Sequence, residues 1–142
     1  MYTTVEKFEK KLKREYASIY ADDEGVVDEE LVNDDLEAAA TAIDGRIAVR
    51  YAVPVTAEGS LALLDSWNLI LAMELAYLRP EGAVIPEKIS KMADNVRTQL
   101  DAVAKGTGKL PGAAAESASG AGGAAILSAS EPRFTMEKMK GF

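Results

Sequence analysis

The sequence contains no cysteine and no histidine among its 142 residues. These absences exclude disulfide scaffolds, thiol nucleophiles, cysteine-based zinc sites and histidine-assisted catalysis, because each needs one of the two side chains. Catalysis would rest on carboxylates, lysine and hydroxyl groups, and no pair of carboxyl groups facing across a cleft is indicated. We therefore expect no enzymatic activity, no cofactor and no bound metal ion.

Positive charge is also scarce, and so are long apolar runs. Sixteen lysine and arginine residues stand against 23 aspartate and glutamate residues, which gives a net charge of -7. This sign disfavours tight binding to nucleic acid, which requires cations to neutralise phosphates. No run approaches the roughly 20 consecutive apolar residues that span a bilayer, and the first residues lead into a charged segment. We expect an intracellular, soluble protein with no membrane partner.

The composition itself is that of a globular protein, with 48% hydrophobic and 27% charged residues. A chain of this length and composition buries a core without help from metals or disulfides. The spacing of its apolar residues is helical, and no run of alternating polarity indicates a sheet. We predict an all-α protein whose compact four-helix domain covers residues 1–105.

The first two helices are predicted from apolar stripes and polar caps. A stripe with spacings of three and four predicts one helix over residues 3–21, opened by a capping box of Thr3 and Glu6. A second stripe predicts a helix over residues 28–51, with Asp28 as the N-cap. Gly45 lies inside this second helix at a cost of about 1 kcal/mol relative to alanine. We expect a closely approaching helix to compensate for that cost, the alternative being simple tolerance.

The third and fourth helices follow in the same way. Residues 61–78 are apolar nearly all round, which predicts a helix buried on several sides and capped by Ser60. Pro86 suits the first turn of a fourth helix that ends near Lys105, just before a glycine. Trp67 and Tyr51 are expected in the core.

The composition changes sharply after this domain. Glycine, alanine and serine make up 18 of the 25 residues of 106–130, and such a segment buries little apolar surface. We predict a flexible linker arm over residues 106–130 and a C-terminal docking peptide over residues 131–142. The peptide combines large apolar side chains, which gain from burial, with basic ones. The residues predicted to bind a partner are Arg133, Phe134, Met136, Met139 and Phe142.

Two charge clusters of opposite sign lie in the first third of the chain. The cations are Lys7, Lys10, Lys11, Lys13 and Arg14. The carboxylates are Asp22, Asp23, Glu24, Asp28, Glu29, Glu30, Asp34, Asp35 and Glu37. The carboxylates lack the spacing of an EF-hand. They form a solvated helix start, a channel wall that repels DNA, or a contact with the cations of a neighbouring subunit through Asp34 and Asp35. Of the last two, we favour the subunit contact because the two signs are complementary.

Several short motifs resemble those of Mu-like prophage neck proteins. The segment from Val27 to Glu30, followed by the run from Ala42 to Pro54, is similar to that family's second-helix signature. The pair Arg133-Phe134 and the final Gly141-Phe142 are similar to its C-terminal motifs. The resemblance covers nearly the whole chain, in order, and consists of weak motifs.

The resemblance implies a function in assembly. The helical core of that family is similar to the head-tail adaptor, or head completion, proteins of long-tailed phages. Those proteins form a homo-oligomeric ring, typically a dodecamer, below the portal protein, and the ring offers a docking surface to the tail through a tail terminator or stopper protein. Double-stranded DNA would pass through the channel without tight binding. The implied location is the neck of the virion, after assembly in the host cytoplasm.

An alternative from another class is a small helical DNA-binding or packaging-regulatory protein. It would need a concentrated basic recognition surface. In this sequence only the cluster from Lys7 to Arg14 offers one.

Overall fold

The computed structural model describes residues 1–80 and 82–112 of the chain. Within them lie five α-helices and no β-strand, so the all-α prediction is confirmed. The helices are α1 Val5–Leu12, α2 Arg14–Tyr20, α3 Glu29–Ile47, α4 Glu58–Leu78 and α5 Glu87–Lys105. Between α2 and α3 the chain turns through an isolated antiparallel bridge that joins Ala21 and Val27.

The prediction of one continuous first helix is wrong, because the chain breaks at Lys13. This residue has a φ of 56° and a ψ of -128°, a backbone conformation that is strained for a lysine. The break turns α2 relative to α1, so both short helices bury aromatic residues. The rings of Phe8, Tyr16 and Tyr20 form one cluster with centroids 5.6 to 6.5 Å apart. Burial of this cluster compensates for the strain.

The predicted capping box at the start of that helix is also wrong. The N-cap is Thr4, whose hydroxyl oxygen accepts a hydrogen bond from the Lys7 backbone N–H at 3.2 Å. Thr3 is buried instead. The neighbouring residue Tyr2 is fixed to α4, since its backbone N–H donates a hydrogen bond to the side-chain oxygen of Asn68 at 2.8 Å.

Helix α3 begins as predicted and ends earlier. The carboxylate of Asp28 accepts hydrogen bonds from the backbone N–H groups of Glu30 and Leu31, at 3.0 and 3.4 Å. The regular helix stops at Ile47 instead of Tyr51. The turn that follows sends the Arg50 guanidinium to the carbonyls of Ala104 and Lys105, at 3.4 and 3.0 Å. A cation there satisfies free carbonyls at the C-terminal end of α5.

Helix α4 occupies the centre and packs against both α3 and α5. On length and composition alone it would be apolar enough to cross a membrane, but a core helix passes the same test. Nine of its residues are buried, among them Trp67, whose indole N–H donates to the Gln99 side chain at 3.0 Å. The predicted core positions of Trp67 and Tyr51 are confirmed.

The sequence predicted Ser60 as the N-cap of α4, and this prediction is wrong, because the N-cap is Ala57. The helix begins two residues earlier, and Ser60 is fully buried, with its hydroxyl donating to the carbonyl of Pro111. Gly59 allows this approach, since a Cβ atom there would lie 3.1 Å from the same carbonyl oxygen. Leu110 is 2% exposed, and its backbone N–H donates to the Tyr51 hydroxyl at 3.2 Å.

Residues 106–112 therefore belong to the packed domain, although composition assigned them to the arm. Gly106 ends α5 in the left-handed conformation, with a φ of 88°, as the sequence predicted for this boundary. The chain then returns along α5 to α4. The buried side chain of Leu110 anchors this short segment to the domain by removing its apolar surface from water.

Candidate functional site

The cations predicted to contact a neighbouring subunit form one surface on α1 and the α1–α2 junction. All five of Lys7, Lys10, Lys11, Lys13 and Arg14 are exposed. Lys7 is partly engaged, because its ammonium lies 2.6 Å from the Asp65 carboxylate on α4. Among ion pairs between described residues, the other four cations take no part. We call Lys10, Lys11, Lys13 and Arg14 the cationic surface.

The position of the cationic surface follows from the break at Lys13. Phe8 and Leu12 turn one face of α1 into the core, which leaves the lysines of the same helix on the outside. The break ends α1 and places Lys13 and Arg14 beside the lysines of its last turn. Four positive charges are thus held within about one and a half helical turns. Such a cluster favours a partner surface of opposite sign.

Most of the predicted carboxylates lie on the loop after α2 and on the first turns of α3. Two of them have local roles. Asp28 caps α3, and the Asp22 carboxylate accepts from the Val26 and Glu24 backbone N–H groups, at 2.9 and 2.8 Å. These hydrogen bonds lower the pKa of Asp22 below its usual value, because they stabilise the charged form. The side chains left exposed are Asp23, Glu24, Glu29, Glu30, Asp34 and Glu37, which we call the acidic surface.

Asp35, which the sequence grouped with the acidic subunit contact, is a buried internal residue. Its carboxylate is paired with the Arg79 guanidinium through two hydrogen bonds of 2.7 and 3.0 Å. It also accepts from the Tyr20 hydroxyl at 2.5 Å, and the guanidinium lies over the Tyr20 ring at 5.8 Å. Burial and the hydrogen bond to Asp35 raise the pKa of Tyr20. Asp35 is therefore engaged within the chain, and Asp34 alone of the pair is exposed.

This three-residue network joins α2, α3 and the end of α4. Its members are far apart in sequence, and the pairing is bidentate, which gives a planar carboxylate–guanidinium contact its geometric specificity. Hydrogen bonding to Asp35 raises the pKa of Arg79. Sequence reasoning missed the network because nothing in the local pattern distinguishes Asp35 from Asp34.

A groove between α3, α4 and α5 was also missed. Its volume is about 620 Å³. One wall is a line of small residues on α3, namely Ala38, Ala42 and Gly45. Leucines of α4 and α5 form the rest of the apolar lining. They are Leu71, Leu75 and Leu100.

Gly45 was expected either to allow a close approach by another helix or to be simply tolerated. No other described helix of the chain makes this approach, because a Cβ atom at Gly45 would have no neighbour from one within 4 Å. The spacing of Ala38, Ala42 and Gly45 at four and three residues was the available signal for a groove. It places three small residues on one face of α3, where they leave room for a groove between that helix and its neighbours.

Two ion pairs stand at the edge of this groove. Arg46 of α3 pairs with Asp101 of α5, and Arg97 of α5 pairs with Glu74 of α4. Both arginine side chains are about half exposed, at 52% and 50%. Hydrogen bonding to Glu74 raises the pKa of Arg97. The groove thus has an apolar floor and a charged rim, the general composition of a protein-binding surface.

The C-terminal predictions lie outside the described residues. They concern Arg133, Phe134, Met136, Met139 and Phe142. Among residues 1–80 and 82–112, no group of carboxylates is arranged to hold a metal ion.

Comparison with known proteins gives one family. The family model described as "Bacteriophage Mu, Gp36" matches residues 2–128, a span that includes all five helices and both charged surfaces. No curated protein and no solved structure matches the chain.

Proposed function

The chain belongs to the bacteriophage Mu Gp36 family, and from that premise we propose that it is a structural head-tail connector subunit. Several copies assemble head-to-tail into a ring, with the cationic surface of one copy against the acidic surface of the next. The ring lies beneath the portal protein in the neck of the virion and offers the docking surface for a tail terminator or stopper protein. Phage membership is what the family shows, and the connector function is our proposal.

The observation that supports this proposal is the separation of charge on a small domain. The cationic surface ends at the start of α2, and the acidic surface begins on the loop after α2. The two ends of α2 are about 10 Å apart, since the helix has seven residues. The two surfaces are exposed, and the four cations form no ion pair with a described residue. A protein with one surface of each sign can repeat the same contact from copy to copy, which closes into a ring when the rotation allows.

The number of subunits follows from that rotation, and the resemblance to adaptor proteins favours twelve. Excess negative charge suits a channel through which double-stranded DNA slides without sticking, since like charges repel. The net charge of -7 is consistent with that requirement. The C-terminal peptide, residues 131–142, supplies a second contact with the portal protein or a neighbouring copy.

Charge reversal on the cationic surface tests the ring contact. The variant Lys10→Glu with Lys11→Glu should shift the protein from oligomer to monomer, measured by light scattering after size-exclusion chromatography. The matched control is Lys88→Glu with Lys91→Glu on α5, which makes the same change in net charge on exposed lysines. Reversal of Glu29 and Glu30 to lysine in the first variant should restore the oligomer.

An oligomer unaffected by Lys10→Glu with Lys11→Glu, or lost equally in the control, would refute the proposed contact. The DNA-binding alternative relies on the same cations, so it is separated by a different measurement. A salt-dependent shift of double-stranded DNA that disappears in the first variant would favour DNA binding. The connector proposal expects no shift at low salt.

A further inference from the structure

We propose that the groove between α3, α4 and α5 binds the C-terminal segment of this same chain, residues 133–142. The described residues leave the groove open. Its lining is apolar, from Ala42 and Gly45 on one side to Leu71 and Leu75 on the other. Its volume of about 620 Å³ falls within the range of roughly 300–1,000 Å³ found for small-molecule clefts, which is room for a few large side chains of a docked segment.

The segment has the composition that such a groove accepts. Four of its ten residues are large and apolar, and they recur at intervals of two or three positions. They are Phe134, Met136, Met139 and Phe142. Methionine side chains adapt to irregular apolar surfaces, and phenylalanines supply large areas for burial. A wall of alanine and glycine provides the space that these side chains would fill.

The charges are complementary as well. The segment carries Arg133, Glu137, Lys138 and Lys140, so both signs alternate with the apolar residues. The rim of the groove also carries both signs, through Arg46–Asp101, whose side chains are about half exposed, and through Arg97–Glu74, in which Glu74 is mostly buried. Exposed ion pairs are weakly held. A docking segment can therefore exchange partners with Arg46–Asp101 at little energetic cost.

The length of the intervening chain allows this docking. The described chain ends at Gly112, which packs against Gly59 at the start of α4. Leu71 lies twelve residues further along the same helix, about 18 Å away at 1.5 Å per residue. From Gly112 to Met136 there are 24 residues, and a chain rich in glycine, alanine and serine spans about 27 Å on average at this length. The segment reaches the groove of its own copy or of an adjacent one.

A helix of a second copy is the main competing occupant, because Gly45 would permit its approach. The segment is favoured, since it places four large apolar side chains within ten residues and is tethered to the domain. Tethering raises its effective concentration, so weak docking suffices. This inference does not require the ring contact between the charged surfaces, so the two fail separately, but it assigns the segment to a groove of this protein instead of the portal protein.

Disulfide trapping in the full-length chain tests the inference, and the natural absence of cysteine makes it clean. The variant Ala42→Cys with Met139→Cys places one thiol in the groove and one in the segment. In a glutathione redox buffer its disulfide should form at least about tenfold faster than that of the control, as expected for a docked rather than a merely tethered pair. The control is Thr41→Cys with Met139→Cys, since Thr41 is exposed on α3 and does not line the groove.

Non-reducing electrophoresis shows whether the disulfide links one chain or two, and both products support the inference. Adding Gly45→Leu, which fills the groove, should slow trapping to the rate of the control. A second measurement avoids cysteine in the groove: alkylation of the single thiol in Met139→Cys should accelerate when Gly45→Leu is added. Equal trapping at positions 41 and 42, or alkylation unaffected by Gly45→Leu, would overturn the inference.

Discussion

Helix α3 meets its surroundings in two different ways, at its carboxylates and along its line of small residues. Asp35 and Asp44 each accept a hydrogen bond from a tyrosine hydroxyl, of Tyr20 and Tyr2 respectively. Ala42 and Gly45 on the same helix face an open groove. These two carboxylates are therefore engaged in holding the domain together, whereas the small residues are available to a partner. Charge in the sequence is thus a poor guide to which positions of α3 are free for assembly.

The largest effect should come from breaking the buried pair at Asp35. In Asp35→Ala the Arg79 guanidinium and the Tyr20 hydroxyl lose their acceptor in a mostly buried position. We expect a loss of about 2–3 kcal/mol in the free energy of unfolding, since Arg79 keeps some contact with water. Urea denaturation measures it.

The control for that loss is Asp34→Ala, which removes an exposed carboxylate one residue away. It should change the stability by less than about 0.5 kcal/mol. Similar values for the two variants would contradict the distinction between an internal and a free carboxylate.

A matched pair of alanines compares the side of α3 that packs in the core with the side that lines the groove. Ala40 is 4% exposed in the core, while Ala42 is exposed and lines the groove. Ala40→Leu should destabilise the fold by about 2 kcal/mol through overpacking. Ala42→Leu should cost less than about 0.5 kcal/mol. Thermal denaturation followed by circular dichroism compares them, and equal costs would show that Ala42 is packed as tightly as Ala40.

The contact of Tyr2 with Asp44 predicts a loss of stability at high pH. Burial, followed by the hydrogen bond to Asp44, raises the pKa of Tyr2 from 10.0 to about 12. The folded state thus favours the protonated phenol, so the stabilisation is complete below pH 10 and is lost as the pH rises through about 12. Other tyrosines with raised pKa values contribute too.

The contribution of Tyr2 is therefore measured by difference from Tyr2→Phe. This variant should lose about 1 kcal/mol at pH 7, since the hydroxyl also accepts from the Val55 backbone N–H at 3.0 Å. Its stability should fall less steeply between pH 10 and 12 than that of the unsubstituted chain. Parallel pH profiles in urea would show that the Tyr2 hydroxyl does not titrate as described.

The smallest effect is a gain in stability at Gly45. Gly45→Ala should stabilise the fold by about 0.5–1 kcal/mol, because alanine favours the helix and its Cβ meets no described atom within 4 Å. Urea denaturation at low protein concentration checks the gain. A destabilised variant would contradict the open space found beside Gly45 in the described domain.

Helix positions were largely predictable, and their interruptions were not. Apolar spacing located every helical segment, and Asp28 and Gly106 marked boundaries through side-chain capping and a left-handed turn. The break at Lys13 had no local signal, since lysine ordinarily avoids a positive φ. It exists because the aromatic side chains on either side of it are buried together.

The candidate site was less predictable than the fold. The cations are exposed, as expected for charged side chains on the outside of an amphipathic helix, and their contact with a neighbouring subunit stays a prediction. The predicted acidic contact included Asp35, which is buried in the core. The groove appeared only when three helices were assembled, since its lining residues come from α3, α4 and α5.

By itself, the sequence determined that this protein is helical, acidic and without histidine or cysteine chemistry, because composition and short-range spacing act within a few residues of the chain. The tertiary structure decided which carboxylates remain free, where Leu110 docks and where three helices leave a groove. Those outcomes depend on pairs such as Asp35 and Arg79, which lie 44 positions apart. No local pattern encodes such a contact, since burial and ion pairing are properties of the assembled core.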